Sequence, residues 1–140
     1  MNWLFFLGRL LLVAIFYSSA YSKITNFDMF VGIADGAGMP FPVIAIIGAI
    51  ALDLVGATLL LVGKKFAGSG AALLILFLIV ATPFFHNFWV EAPGSLAYTN
   101  QYNNFMKNLS ILGAMFIMLW YYQNECPVLK FLGLAKGEKK

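Results

Sequence analysis

Residues 40 to 63 read PFPVIAIIGAIALDLVGATLLLVG, and Asp53 is the one charged side chain among them. A helix needs about 20 mainly apolar residues to cross the hydrocarbon core of a bilayer, and this run supplies them. After Lys64 and Lys65 a second run, FAGSGAALLILFLIVATPFF, fills residues 66 to 85. Segments of this kind leave little choice of solvent. The chain is 61% hydrophobic and 11% charged, against about 25% charged in an average soluble domain. An integral membrane protein is expected, with the lipid bilayer as its first partner.

The chain opens on another apolar run, LFFLGRLLLVAIFYSSAYSK, at residues 4 to 23. The small residues near its end resemble a signal-peptide cleavage site. However, no basic segment precedes the apolar stretch, and Arg9 interrupts it. A retained transmembrane helix is the better reading. Four spans follow, at about 3–21, 40–63, 66–85 and 105–122, with long loops over 22–39 and 86–104. The Lys64-Lys65 link is too short for anything but an antiparallel hairpin. An even number of spans places both termini on one side, with Lys64, Lys65, Lys130, Lys136, Lys139 and Lys140; Lys23 and Lys107 fall on the other. The excess of lysine marks the cytoplasmic side.

The expected fold is therefore all-α: a four-helix integral membrane bundle over 1–126, with cytoplasmic N- and C-termini, in a bacterial inner membrane. Residues 127–140 are expected to form a short interfacial helix and a basic, disordered end. No internal repeat is visible. The formal charge of +3 is too small and dispersed to suggest nucleic acid. The single cysteine, Cys126, excludes an internal disulfide and any Cys-x-x-Cys redox pair of the chain's own.

Charges inside apolar runs need partners, since an unpaired charge in hydrocarbon is expensive. Arg9 and Asp53 lie a few ångströms apart in depth on sequential antiparallel helices, so they are expected to pair. That pair would either fix helix register or serve a proton, quinone or other small ligand. Ala45, Ala49, Asp53 and Ala57, with Gly56 alongside, form a small-residue face that lets another helix approach. On the first helix Arg9, Val13, Phe16, Ala20 and Lys23 share one stripe.

A second constellation gathers at the far end. Lys23, His86, Asn87, Lys107 and Asn108 all project there from the ends of spans, near Glu91. Pro83 frees the carbonyl of Ile79 beneath them. Such donors could hold a quinone carbonyl, an anion or a partner's acidic loop. His86 has no second strong ligand beside it, so no metal or haem site is expected.

Four fragments in order, GRLLLVAIFYSSAYSKI, ALDLVGATLLLVG, ATPFFHNFW and NFMKNLSILGA, resemble the DoxX family of small four-helix membrane proteins, over about residues 4 to 118. Where that family commonly carries glutamate in the second helix, this chain has Asp53, whose shorter side chain would need closer helices or a water to reach Arg9. The family takes its name from a subunit of a thiosulfate:quinone oxidoreductase. The resemblance implies a membrane subunit in redox-linked processes.

Two readings of function follow. The first is an accessory or structural subunit of a larger membrane complex, without catalysis of its own, docked to other subunits or to copies of itself. The second is a quinone-binding subunit of a membrane oxidoreductase, with Lys23, His86 and Lys107 polarising a quinone oxygen. A small-solute transporter would need an inverted repeat or broken helices, and the sequence offers neither.

Overall fold

The computed structural model describes residues 3–134, apart from the side chains of Lys64 and Val128. The disordered basic end expected around Lys136, Lys139 and Lys140 lies outside the described residues. Those described fold into helices and turns only: α1 (Trp3–Thr25), α2 (Phe27–Gly36), α3 (Pro42–Val62), α4 (Ala67–Phe85), α5 (Leu96–Tyr121) and α6 (Pro127–Phe131). Single 3-10 turns at Lys64–Phe66 and Phe88–Val90 complete the connections.

Three segments are long and apolar enough to cross a membrane: α1, α3, and α4 with the turn that follows it, Ala67–Val90. Helix α5 is longer than any of them but opens on LAYTNQYNN, and these polar turns lower its average. The helices pack in sequence, α1 on α3, α3 on α4 and α4 on α5, with α2 laid against α3 and α1. One end of the assembly carries Trp3, Gly63 and Tyr121 (the termini end). The other carries Thr25, Pro42, His86 and Leu96 (the loop end).

The α3–α4 contact shows why glycines are spaced as they are. A Cβ on Gly70 would lie 2.5 Å from the Leu60 nitrogen and 2.7 Å from the Gly56 carbonyl oxygen. The two backbones touch there, so only glycine fits. Gly56, beside the small-residue face of α3, thus receives α4, while Asp53 on that face turns to Lys23 of α1. Around this crossing Val13, Phe16, Ala57, Leu60, Ala71, Leu74, Leu78 and Met115 form a buried core. Leu11 and Ile44 are 67% and 69% exposed on the outside, as lipid-facing side chains should be.

Two connections differ from the sequence expectation. Residues 22–39 are not a loop: α1 runs on to Thr25, and α2 occupies Phe27–Gly36. Phe27, Phe30, Val31 and Ala34 face inward on α2 while Asp28, Gly32 and Asp35 are exposed, a pattern at the helical period. Helix α5 begins at Leu96, well before residue 105, because the Ser95 hydroxyl accepts the Tyr98 amide at 3.0 Å and caps it. This extension is held against the Phe88–Val90 turn by rings: Phe88 meets Tyr98, Tyr102 and Phe105 edge to face, with centroids 5.2 to 5.6 Å away.

A buried ion pair and a cavity at the loop end

The stripe Arg9, Val13, Phe16, Ala20 and Lys23 is the buried face of α1, and it carries two cations into the interior. The expected Arg9–Asp53 pair is not the one that forms. Lys23 Nζ donates to Asp53 Oδ2 at 2.9 Å, with the two side chains 7% and 0% exposed, and it also donates to Ser19 Oγ.

The reason lies first in register: Tyr17 of α1 meets Thr58 of α3 at 2.9 Å, which sets Lys23 beside Asp53 and Arg9 beside Gly63, and side-chain direction adds to it. Helical Cα–Cβ bonds tilt toward the helix N-terminus. On α1 that is toward the termini end; on the antiparallel α3 it is toward the loop end. Lys23 therefore folds back one turn over Ser19, while Asp53 leans up to meet it. Arg9 leans the opposite way, donating from Nη1 to the Leu60 carbonyl at 3.4 Å. Its Cζ lies 5.7 Å and 6.0 Å from the rings of Phe5 and Phe6. Arg9 thus stands beside Leu60 and Gly63, about 10–15 Å along α3 from Asp53, and the equal depth expected from the sequence does not hold.

Above the pair a cavity of about 470 Å³ opens between α1, α2, α4 and α5, within the usual range for ligand pockets. Phe16, Phe77 and Phe85, with Ile33 of α2 and Ile111 of α5, give it apolar walls. Lys23, His86, Lys107 and Asn108 all line it. Asn87, the fifth member of the expected cluster, does not: it follows the end of α4 and leads into the Phe88–Val90 turn.

Each polar group is oriented by a neighbour. The oxygen of Gln101 faces His86 Nδ1 at 3.0 Å, so Nδ1–H donates and the neutral ring presents Nε2 as an acceptor. Lys107 Nζ donates to Asn104 Oδ1 at 2.9 Å, and Asn108 Nδ2 donates to Thr82 Oγ1 at 3.2 Å. Lys23 Nζ lies 5.1 Å from the centre of the Phe77 ring, close enough for a cation–π attraction. Among the described residues no three His, Cys, Asp or Glu side chains converge.

The family model described as DoxX matches residues 4–87. The chain belongs to the DoxX family. It is also similar to "Inner membrane protein YphA" of Escherichia coli (strain K12), with 30% identity over 115 residues, 82% of this chain and 80% of that relative. No solved structure matches it. With its three membrane-length helices, it is a multi-pass inner-membrane protein of that family.

In this DoxX protein the family match covers α1 to α4 and stops at Asn87, so the cavity wall supplied by α5 lies beyond it. Ser19, Phe30, Gln101 and Asn104 are among the lining residues that the sequence did not single out. Gln101, Asn104, Asn108 and Ile111 recur at the period of one helix face. That signal was readable only if α5 was begun at Ser95.

Proposed function

We propose that this DoxX protein is an accessory subunit of a redox-linked inner-membrane complex, and that it holds a quinone head group in the loop-end cavity. One observation carries the reading: Lys23, His86 and Lys107, far apart in sequence, line a single ring-walled space. A quinone is flat and apolar apart from its carbonyl oxygens. Phe16 and Phe77 offer apolar surface to the ring, and a lysine ammonium offers a donor to an oxygen. The His86 Nε2 acceptor suits a quinol hydroxyl. Both termini lie in the cytoplasm on this reading, with α5 as the fourth span and the cavity opening toward the periplasmic half of the bilayer.

Native mass spectrometry of the protein extracted gently from its own membrane tests both halves of the proposal. Other chains bound to it, together with one quinone, are the expected result. In His86→Ala the quinone should be lost while the complex persists. A wild-type chain without quinone refutes the ligand, as does quinone retained by His86→Ala. A chain that travels alone refutes the subunit role.

A further inference from the structure

Arg9 takes no part in the cavity. It is 7% exposed, and the ion pair seen among the described residues, Lys23–Asp53, does not include it. Its Nη1 makes one long hydrogen bond, to the Leu60 carbonyl at 3.4 Å, and its Nε makes none. A guanidinium stays charged in a protein, and a buried charge without good hydrogen-bonding partners is costly. The rings of Phe5 and Phe6 attract it without accepting its protons as an oxygen would. Nor can it retreat: a Cβ on Gly63 would fall 1.7 Å from Nη1, so the side chain already lies directly on that backbone.

The second observation is what Arg9 lines. A cleft of about 190 Å³ is walled by Leu4, Phe5, Gly8, Arg9, Leu12 and Met118, where α1 faces α5. Apart from the arginine, every wall is apolar. No atom lies within 4 Å of where a Gly8 Cβ would stand, so the cleft is open along that side.

Depth identifies the occupant. The guanidinium sits beside Phe5 and Phe6, only about 3–5 Å along the helix from Trp3. Trp3, Trp120 and Tyr121 are 73%, 62% and 60% exposed at this same end, as a belt of aromatic side chains is at the head-group level. A cation there meets the phosphate layer, and the apolar groove continues toward the acyl layer. A guanidinium can take two phosphate oxygens side by side.

We propose that this cleft binds one anionic phospholipid, its phosphate on Arg9 and the start of an acyl chain along Gly8, Leu12 and Met118. The site is separate from the loop-end cavity and stands whether or not that cavity takes a quinone.

The test is native mass spectrometry of delipidated protein titrated with phosphatidylglycerol or phosphatidylcholine, alongside thermal protection by inorganic phosphate. The wild type should retain one phosphatidylglycerol in preference to phosphatidylcholine, and phosphate alone should protect little. Arg9→Gln should weaken retention about tenfold or more, as expected for loss of a hydrogen-bonded charge. Gly8→Leu fills the groove without touching the charge and should weaken it too; this variant decides the matter if Arg9→Gln fails to fold. Lys65→Gln, an exposed cation at the same end, should change nothing. Equal retention by wild type and Gly8→Leu, or by wild type and folded Arg9→Gln, overturns the site. Equal binding of phosphatidylcholine overturns its preference for an anionic lipid. Full protection by inorganic phosphate assigns it to a free anion instead.

Discussion

Asp53 is fully buried, and its Oδ1 has no hydrogen-bond partner while its Oδ2 receives Lys23. Each charge is thus tolerated because of the other, and removing one leaves the second uncovered in the protein interior. Lys23→Met or Asp53→Leu alone should cost about 3–5 kcal/mol, the usual penalty for breaking a buried pair. The double variant Lys23→Met/Asp53→Leu should recover most of that loss, since no charge remains. Unfolding in detergent, followed by near-ultraviolet circular dichroism, measures all three; a double variant as unstable as either single one would show that the pair itself holds the helices together. The existence of a buried pair was legible in the sequence, because Asp53 is the one charge in a membrane-length run. Its identity was not. Depth counted from the estimated span midpoints favours Arg9, whereas the register of α1 on α3 sets Lys23 beside Asp53 and Arg9 beside Leu60 and Gly63.

At the scale of elements, the three membrane-length helices were readable from long apolar runs, and α3 and α4 end within two residues of where the sequence placed them. What escaped were the pieces whose period is masked by polar or glycine residues. In α2 the glycines at 32 and 36 and the acids at 28 and 35 hide the Phe27, Phe30 and Ala34 face. In α5 the run of Asn, Gln and Tyr reads as loop until Ser95 is recognised as a cap. Close helix crossings also show poorly in sequence, because a glycine in a membrane helix gives no sign of what it touches. Gly70 and Gly8 separate the cases. Gly70→Val should force α3 and α4 apart and lower the midpoint of thermal unfolding sharply, by the equivalent of about 2 kcal/mol or more, as overpacked cores do. Gly8→Ala, with open space around it, should leave the midpoint unchanged or raise it slightly. Equal losses in the two variants would show that glycine flexibility, rather than contact, matters at both sites.

Across the whole molecule, the sequential packing of α1 on α3, α3 on α4 and α4 on α5 leaves α1 and α5 facing each other with little close backbone contact. At the termini end that gap is bridged by Phe5 against Tyr121 and Tyr122, with ring centres 4.7 Å and 6.1 Å apart. At the loop end it widens into the cavity. The cavity therefore needs α5 as its wall, and its position in the bilayer depends on whether α5 crosses. Length permits it, since Leu96–Tyr121 is 26 residues, about 39 Å of helix against a hydrocarbon core of about 30 Å. The polar opening turns would then stand in the head-group layer, leaving Lys107 and Asn108 near the edge of the hydrocarbon. Ala92, before α5, and Asn124, after it, are both exposed and can each be replaced by cysteine in a Cys126→Ala background. With a membrane-impermeant maleimide on intact spheroplasts, Ala92→Cys should react at once and Asn124→Cys only after the membrane is opened. Reaction of both from outside would mean that α5 does not cross, and the cavity would then lie against the membrane surface with Lys107 in water. The reverse pattern would place the termini outside the cell and turn the positively charged end away from the cytoplasm, against the lysine distribution that orients the chain.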